Sequence, residues 1–265
     1  MPELIEIEIY RQVAERAVGA SVASVDAPDG WYIKGGPTPS EVCSALEGAT
    51  ISSTDRVGKL LLLNMGEKRP LLGLRFGMTG RLVYGEFAPI EVLEYSSNRD
   101  DPKWDRFALW LDDGTRLRIS DPRRLGGVEL DPDLALIGPD AWGLSTEDLN
   151  AALHNSQAPL KARLLDQSKV AGLGNLLVDE TLWRAHLAPD RTASSLRSAE
   201  ISHLRDVIVA TIDDLYERGG SHMGDLQAHR HRDGTCPRCG KRLARQSIGG
   251  RTTYWCGACV EAAGR

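Results

Sequence analysis

Short apolar segments separated by turn residues characterise the first half of the chain. They occupy residues 60–64, 71–76, 82–84 and 107–111, and this pattern predicts the strands of an antiparallel sheet. Asp112-Asp113-Gly114 separates the last segment from a further strand at 116–119, and an Asp-Gly pair favours a tight primed hairpin turn. Because no helices alternate with these strands, residues 1–131 predict an amino-terminal helix followed by an antiparallel β-sandwich.

Helical periodicity replaces this pattern in the middle of the chain. Ser145 and the acidic residues that follow it indicate a helix start, and a long helix is predicted over 194–218 because a Gly-Gly pair follows it. Residues 132–220 therefore predict a helical domain, and residues 221–265 predict a small third module. In the first domain, the Gly- and Pro-rich stretch at 31–40 predicts an exposed loop.

Charge is unevenly distributed along the chain. The formal net charge of −5 argues against a nucleic-acid partner, but residues 221–265 carry +5 and the preceding residues carry −10. A basic tail on an acidic body predicts a localised phosphate-binding surface, although a solvated tail has the same composition. The chain has no apolar run of the ~18 residues that a membrane span requires. Its acidic start lacks a signal-peptide pattern, so we expect the protein in the cytoplasm. We also expect a monomer.

Four cysteines near the carboxyl terminus have the spacing of a zinc ribbon. Cys236 and Cys239 form one C-x2-C pair, Cys256 and Cys259 form another, and sixteen residues separate the pairs. This spacing is typical of a tetrahedral four-thiolate zinc site, which is structural because it leaves no coordination position open. One structural Zn²⁺ is therefore predicted, without a small-molecule cofactor; two disulfides are the alternative.

Basic residues lie beside and within this ribbon. Between the cysteine pairs, Gly249-Gly250 predicts a β-turn, and Arg251 directly after it is placed to reach a phosphate. Just before the ribbon, residues 229–232 read His-Arg-His-Arg. That run fits a solvated basic link as well as it fits a DNA contact.

The first residues combine an amine with two carboxylates. If Met1 is removed, Pro2 carries a secondary amine with a reference pKa of about 8, against about 10.4 for lysine. Such an amine is partly neutral at neutral pH and can attack a sugar or carbonyl carbon to form an iminium. Glu3 and Glu6 lie at i, i+3 spacing on one helix face. The alternative is an ordinary helix start, where proline and acidic residues are favoured.

A glycine-containing turn in the helical region is the second candidate site. Residues 169–175 read Lys-Val-Ala-Gly-Leu-Gly-Asn, and glycines at 172 and 174 allow close backbone approach. A helix is predicted to begin near Asn175, and backbone N–H groups at a helix start bind phosphate. Lys169, Gly174 and Asn175 therefore predict a phosphate site, with a plain helix–turn–helix corner as the alternative.

These motifs together resemble the Fpg/Nei family of DNA glycosylases, which remove damaged bases. The resemblance covers nearly the whole chain, and five motifs occur in the order of the family: the Pro-Glu-Leu start at Pro2, Gly58-Lys59, Asp121-Pro-Arg-Arg-Leu-Gly126, the helix–two-turn–helix at Gly172 to Asn175, and the zinc ribbon with Arg251. It implies an α+β fold of three domains that binds damaged double-stranded DNA.

The resemblance also assigns roles to individual residues. The damaged nucleotide is flipped out of the duplex, Pro2 attacks C1′ of its sugar, Glu3 shuttles protons, and Glu6 positions the nucleophile. Elimination of the 3′ and then the 5′ phosphate follows, which makes the enzyme an abasic-site lyase as well.

Further implied roles concern the DNA around the lesion. Met78 and Arg123 would fill the vacated space, and Leu125 would wedge beside the orphaned base. Lys59, Asn175 and Arg251 would bind phosphates around the lesion, and the DNA would lie in a cleft between domains.

Three departures from the family pattern bear on the substrate. Ile5 stands where members usually have proline, and Leu125 stands where members that recognise 8-oxoguanine usually have phenylalanine. Residues 219–226 pass quickly into the zinc ribbon, whereas those members have a longer loop that caps the flipped purine. Oxidised pyrimidines, ring-opened purines or abasic sites are therefore expected instead of 8-oxoguanine. A catalytically silent damage binder, or a glycosylase for bulky or alkylated bases, stays open as an alternative.

Overall fold

The computed structural model describes residues 2–90, 93 and 99–263. The chain divides by contact into two compact units, Met1–Leu134 and Ala135–Arg265. Met1 itself lies outside the described residues, so its removal stays a prediction, as does the division into three domains.

The first unit combines two α-helices with eight strands in its described part. Their bounds are α1 (Leu4–Ala14), β1 (Val22–Asp26), α2 (Pro39–Leu46), β2 (Ser53–Val57), β3 (Leu60–Asn64), β4 (Leu71–Arg75), β5 (Arg81–Tyr84), β6 (Asp105–Leu111), β7 (Arg116–Ser120) and β8 (Gly127–Leu130). The strands form two antiparallel four-stranded sheets, in the orders β1-β6-β7-β5 and β2-β3-β4-β8. A common core joins residues of both sheets to α1, among them Leu61, Phe107 and Val13. The predicted helix and antiparallel β-sandwich are confirmed.

The β6–β7 hairpin differs from its prediction in the type of turn. A type I′ turn, the primed turn that an Asp-Gly pair favours, needs positive φ at both central positions. Of Asp112, Asp113 and Gly114, only Gly114 has positive φ, at 82°. The N–H of Leu111 donates to the carbonyl of Thr115 at 2.8 Å, so the loop has three residues. The Asp113 carboxylate accepts from the Thr115 N–H at 2.8 Å, which stabilises this wider loop.

The segment at 31–40 is only partly the exposed loop that its Gly and Pro content predicted. Tyr32 is fully buried, and its hydroxyl donates to the Asp121 carboxylate at 3.3 Å. The aromatic ring packs in the core, with a hydrogen-bond partner far away in sequence. Trp31, in contrast, is 69 % exposed. Local composition predicted the turns but not the buried tyrosine among them.

The second unit contains five α-helices and a two-stranded antiparallel hairpin in its described part. Their bounds are α3 (Thr146–Leu153), α4 (Leu160–Leu164), α5 (Asn175–Arg184), α6 (Ser198–Glu217), β9 (Ala244–Ile248), β10 (Arg251–Trp255) and α7 (Gly257–Ala263). Ser145 caps α3 as predicted by accepting from the Asp148 N–H at 3.0 Å. No helix among the described residues is long and apolar enough to cross a bilayer.

Helix α6 begins four residues later than the sequence predicted. Residues Ala193–Ser195 form a separate single turn, and the Glu200 carboxylate accepts from the Arg197 N–H at 2.9 Å. That contact is half of a capping box, which fixes the start of the helix after Arg197. The carboxyl end is as predicted, because Gly219 follows it with a φ of 99°.

Candidate active site and nucleic-acid-binding surfaces

The amino-terminal proline and its two acids are buried at the start of α1. Pro2 is buried, Glu3 is fully buried and Glu6 is 3 % exposed. The Glu6 carboxylate accepts from the Glu3 N–H at 2.8 Å, which is half of a capping box at the helix start. The helix-start interpretation therefore holds for Glu6. It does not by itself account for the burial of both acids together with the adjacent proline.

Lys59 lies at the turn between β2 and β3. Val57 pairs with Leu60, so Gly58 and Lys59 form a two-residue hairpin turn, in which Gly58 has a φ of 56°. The Arg56 guanidinium donates to the Gly58 carbonyl at 3.0 Å and lies 3.5 Å from the Glu8 carboxylate. Because Glu8 belongs to α1, these contacts tie the turn that carries Lys59 to the helix that begins at the two buried acids.

Asp121 is the centre of a hydrogen-bond cluster that the sequence analysis did not identify as such. Its carboxylate is fully buried. It accepts from two hydroxyls and three backbone N–H groups: Thr79 at 2.6 Å, Tyr32 at 3.3 Å, and the N–H of Arg123 at 3.2 Å, of Leu125 at 2.9 Å and of Gly126 at 2.9 Å. One buried anion thus fixes the conformation of the whole turn after it.

This cluster joins the two segments that carry the predicted space-filling side chains. Thr79 follows Met78, while Arg123 and Leu125 lie in the turn after Asp121. A Cβ added to Gly77 would lie 2.4 Å from the backbone carbonyl carbon of Leu125, so the two backbones are in direct contact. Leu125 is 49 % exposed, Arg123 is exposed and Met78 is half-buried. The structure therefore brings these three residues together on a rigid support.

The two consecutive arginines in this turn have different environments. Arg124 has a φ of 56°, and its guanidinium binds both oxygens of the Asp29 carboxylate at 2.6 Å. The same guanidinium lowers the pKa of Asp29. Both side chains are exposed to solvent, Arg124 to 48 %, but the guanidinium of Arg124 is engaged in this contact within the protein.

Asp121→Asn is expected to lower the free energy of unfolding of the first unit by about 2–3 kcal/mol, because it leaves buried donors without an acceptor. Urea denaturation followed by tryptophan fluorescence measures this loss. Asp101→Asn is the matched control, since Asp101 accepts locally from the Lys103 N–H at 3.2 Å and its replacement is expected to change the free energy of unfolding little. Equal stability of the two variants would contradict the role of Asp121.

In the second unit, Gln167 holds the glycine-containing turn. Its side-chain oxygen accepts from the Gly172 N–H at 3.0 Å, and its amide nitrogen donates to the carbonyls of Leu165 at 3.0 Å and Leu173 at 2.9 Å. Gly172 has a φ of 103°, which favours glycine there. A single glutamine carried no sequence signal for this role, because its partners are backbone groups.

Asn175 and Arg251 lie on one surface of the second unit. Helix α5 begins at Asn175, and its N-cap Gly174 has no side chain to cap it. The Asn175 amide nitrogen donates to the Thr252 carbonyl at 3.2 Å, next to exposed Arg251. The other amide atom, Oδ1, is buried without a donor in the described chain. Half-buried Lys169 lies earlier in the turn, and no hydrogen bond or ion pair among the described residues joins its side chain to Asn175.

The four predicted metal ligands form one cluster. The sulfurs of Cys236, Cys239, Cys256 and Cys259 all lie within 4.8 Å of one another, with Sγ–Sγ distances of 3.8 Å for Cys236–Cys259 and 3.5 Å for Cys239–Cys256. Four sulfurs at about 2.3 Å from Zn²⁺ lie about 3.8 Å apart in a tetrahedron. The predicted zinc ribbon is confirmed, and the disulfide alternative does not apply.

The environment of these thiols favours a bound cation. Burial opposes ionisation of Cys236, but the indole N–H of Trp183, 3.3 Å away, and the backbone N–H groups of Cys239 and Arg238 lower its pKa to about 6. Burial raises the pKa of Cys256 to about 12. Thiolates in such a cluster repel one another, so a divalent cation is needed to ionise all four together.

Hairpin β9–β10 lies between the two cysteine pairs and has the predicted turn at its tip. Gly249 and Gly250 have φ angles of 57° and 71°, the primed turn that a two-residue hairpin favours. Upstream of the ribbon, Arg230 is neither a solvated link nor an exposed DNA contact, because its side chain is 6 % exposed and pairs with Asp179 at 3.0 Å. Its neighbours His231 and Arg232 are exposed.

Sequence profiles of known domains match almost the entire chain. The formamidopyrimidine-DNA glycosylase N-terminal domain matches residues 1–128, the formamidopyrimidine-DNA glycosylase H2TH domain matches residues 137–226, and the zinc finger found in FPG and IleRS matches residues 234–262. The chain belongs to the Fpg/Nei family. It is a DNA glycosylase of base excision repair with one structural zinc ion.

Curated Fpg-family relatives match over their full length. The formamidopyrimidine-DNA glycosylase of Halalkalibacterium halodurans is 32 % identical, over 98 % of this chain and 99 % of its own. The enzyme of the same name from Paracoccus denitrificans is 33 % identical, over 98 % and 100 %.

Solved structures of the Lactococcus lactis Fpg in complex with DNA are also similar. The complex with DNA containing Fapy-dG is 26 % identical, with a TM-score of 0.82 over 97 % of this chain and 99 % of that chain. The complex with abasic-site DNA is 25 % identical, with a TM-score of 0.81 over 97 % and 98 %.

Proposed function

We propose that this Fpg-family glycosylase is also an abasic-site lyase that uses the amine of Pro2 as its nucleophile. The observation that carries the proposal is the burial of Pro2 together with the carboxyl groups of Glu3 and Glu6 at the start of α1. A solvent-exposed helix start needs no such burial, whereas a nucleophile that works beside proton-transfer groups does.

The proposed reaction begins at C1′ of the flipped nucleotide. The lone pair of the Pro2 nitrogen forms a bond to C1′ while the bond between C1′ and the base breaks, and the base leaves with a proton. Glu3 transfers protons at the sugar ring, which opens and leaves an iminium between enzyme and sugar. Loss of the C2′ proton then expels the 3′ phosphate, and a second elimination expels the 5′ phosphate. Glu6, bonded to the Glu3 N–H, keeps the start of the helix in place.

Met78, Arg123 and Leu125 are proposed to occupy the space that the flipped nucleotide leaves. The proposal is supported by the Asp121 cluster, which presents the three side chains from two segments in backbone contact. Inserting side chains into a base stack costs a few kcal/mol of unstacking, so a rigid support lowers the additional cost of ordering them.

Phosphate contacts are proposed for both units. In the first unit Lys59 would bind a phosphate from its hairpin turn. In the second unit the contacts would come from Asn175, from Arg251 and from the turn that contains Lys169 and Gly174. Each cationic contact releases counterions, so binding to duplex DNA should weaken as salt rises. We propose that the protein acts on double-stranded DNA as a monomer in the cytoplasm.

The proposed substrates are ring-opened purines, oxidised pyrimidines and abasic sites, and 8-oxoguanine is expected to be a poorer one. Residues 219–226 are held close to α5, because the Glu180 carboxylate accepts from the N–H groups of Asp225 at 3.1 Å and Leu226 at 2.9 Å. A segment this short and this closely held leaves little chain to cover a flipped purine. One similar structure is a Lactococcus lactis Fpg complex with DNA containing N7-benzyl-Fapy-dG, which keeps bulky alkylated bases among the candidates.

Borohydride trapping on a duplex with one abasic site tests the proposed mechanism. Reduction of the iminium should give a covalent protein–DNA adduct that peptide mapping places at the amino-terminal residue. Tight, salt-sensitive binding without an adduct would instead support a catalytically silent damage binder. The same assay, with duplexes containing 8-oxoguanine, Fapy-dG, N7-benzyl-Fapy-dG or an oxidised pyrimidine, then separates the substrate classes.

A further inference from the structure

Three charged side chains form a buried cluster in the second unit. The Lys161 ammonium and the Asp179 carboxylate are both fully buried and lie 2.6 Å apart. The Arg230 guanidinium, 6 % exposed, binds the other oxygen of Asp179 at 3.0 Å. Lys161 belongs to α4, Asp179 to α5, and Arg230 to the segment before the zinc ribbon, so the cluster joins three separate parts of the chain.

The same cluster is bonded to the backbone of β10. The Lys161 ammonium donates to the Thr252 carbonyl at 3.4 Å, and the Asp179 carboxylate accepts from the Tyr254 N–H at 3.3 Å. Strand β10 pairs only with β9 within the described chain, so these bonds satisfy backbone groups that an edge strand otherwise exposes. The strand is thereby fixed along its axis against α4 and α5.

Asn175 and Arg251 are both linked to the segment of β10 that this cluster holds. Asn175 precedes Asp179 by one helical turn on the same face of α5, and its amide donates to the same Thr252 carbonyl at 3.2 Å. Arg251 precedes Thr252 directly. A Cβ added to Gly249 would lie 3.1 Å from the Ala162 Cβ, so the hairpin tip packs beside Lys161 as well.

Stability alone is a weak reason to keep such a cluster. Taking charges out of water costs several kcal/mol per ion, and apolar residues of similar volume are often as stabilising. Charged groups differ from apolar ones in fixing direction and register, because their hydrogen bonds are geometrically specific. The zinc ligands Cys256 and Cys259 follow β10 and hold the base of the hairpin, but the phosphate-facing residues lie towards its tip.

We propose that Lys161, Asp179 and Arg230 form a positioning site that holds Arg251 in register with Asn175. The two side chains then meet the DNA backbone as one preorganised unit. This inference rests on the proposed function in one respect, namely that Asn175 and Arg251 contact phosphates. It adds a role for Arg230, which is followed in the basic run by the exposed residues His231 and Arg232.

A double-mutant cycle on DNA affinity tests the proposal in the full-length, zinc-loaded protein. Arg230→Gln is the gentlest disruption, because Lys161 and Asp179 stay paired without it. The cycle combines it with Arg251→Ala, and the dissociation constant for a duplex with one abasic site is measured at fixed salt. Arg242→Gln is the matched control, since it removes the same charge from the ribbon at an exposed pair with Asp233.

Arg230→Gln is expected to weaken binding about tenfold, whereas Arg242→Gln should change it less than about threefold. Arg251→Ala should weaken binding about tenfold in the wild-type background but less than about twofold in the Arg230→Gln background. In that background Arg251 is already out of register and contributes little to affinity. Arg230→Lys should restore most of the affinity, because an ammonium can still pair with Asp179.

Zinc content is measured for every variant. If Arg230→Gln does not retain the metal, the cycle is run with Arg230→Met, which fills the same space without a buried amide.

Two results would overturn the proposal, and they are distinguishable. If Arg230→Gln lowers only the melting temperature, and Arg251→Ala keeps its full cost in that background, the cluster stabilises the fold and does not position the contact. If Arg251→Ala and Asn175→Ala leave affinity unchanged in the wild-type background, the phosphate contacts of the proposed function fail, and the positioning role fails with them.

Discussion

Insertion of a serine between Met1 and Pro2 is expected to slow cleavage at an abasic site at least about a thousandfold. The insertion changes no existing side chain, but it converts the Pro2 nitrogen from an amine into an amide, which is not nucleophilic. Single-turnover cleavage of an abasic duplex measures the rate, and borohydride trapping measures the covalent adduct. Affinity for the same duplex should change only a few-fold, because the proposed phosphate contacts lie elsewhere.

Glu15→Gln, just after the end of the same helix, is a suitable control. Glu15 is 58 % exposed and pairs with Arg11 at 3.2 Å, and its replacement should leave cleavage within about threefold of wild type. If the serine-extended protein still forms the adduct at the wild-type rate, the nucleophile is another amine, and Lys59 becomes the first candidate to replace.

Cys256→Ser is expected to eliminate zinc binding and to weaken binding to abasic DNA at least about a hundredfold. Structural zinc contributes roughly 10–16 kcal/mol to the folding of small zinc modules, and Cys256 directly follows β10, which begins at Arg251. Metal analysis of the purified protein and titration of a labelled duplex measure the two effects. Chelation of the metal from the wild-type protein should reproduce the loss of affinity.

Cys43→Ser provides the matched control for the loss of a thiol. Cys43 lies in α2, donates to the Val25 carbonyl at 3.4 Å, and is outside the four-cysteine cluster. It should keep both the metal and the affinity for DNA. Full affinity of the Cys256 variant or of the chelated protein would refute a role for zinc in positioning the hairpin.

Features encoded by short spacings were predictable from the sequence. The C-x2-C pairs, the capping serine of α3 and the Gly-Gly turn before Arg251 each depend on residues a few positions apart, whose geometry the backbone itself fixes. The position of Pro2, Glu3 and Glu6 at the start of α1 likewise depends on residues that are close together in the sequence. The prediction for the β6–β7 turn was wrong because the Asp113 side chain stabilises a three-residue loop that competes with the primed turn.

The sequence by itself determined the succession of a β-sandwich, a helical region and a zinc ribbon, and with it the candidate chemistry. Only the tertiary structure decided which charged side chains have partners within the protein. Arg123 and Arg124 are both exposed, but Arg124 binds Asp29, 95 residues away. Asp121 accepts a hydrogen bond from Tyr32, 89 residues away in the sequence. Arg230 donates to Asp179, 51 residues away. Such partners meet because the chain folds back on itself, and burial then makes each unpaired charge too costly to leave. Local sequence patterns do not indicate which distant residues will pair, so only the folded structure identifies these partners.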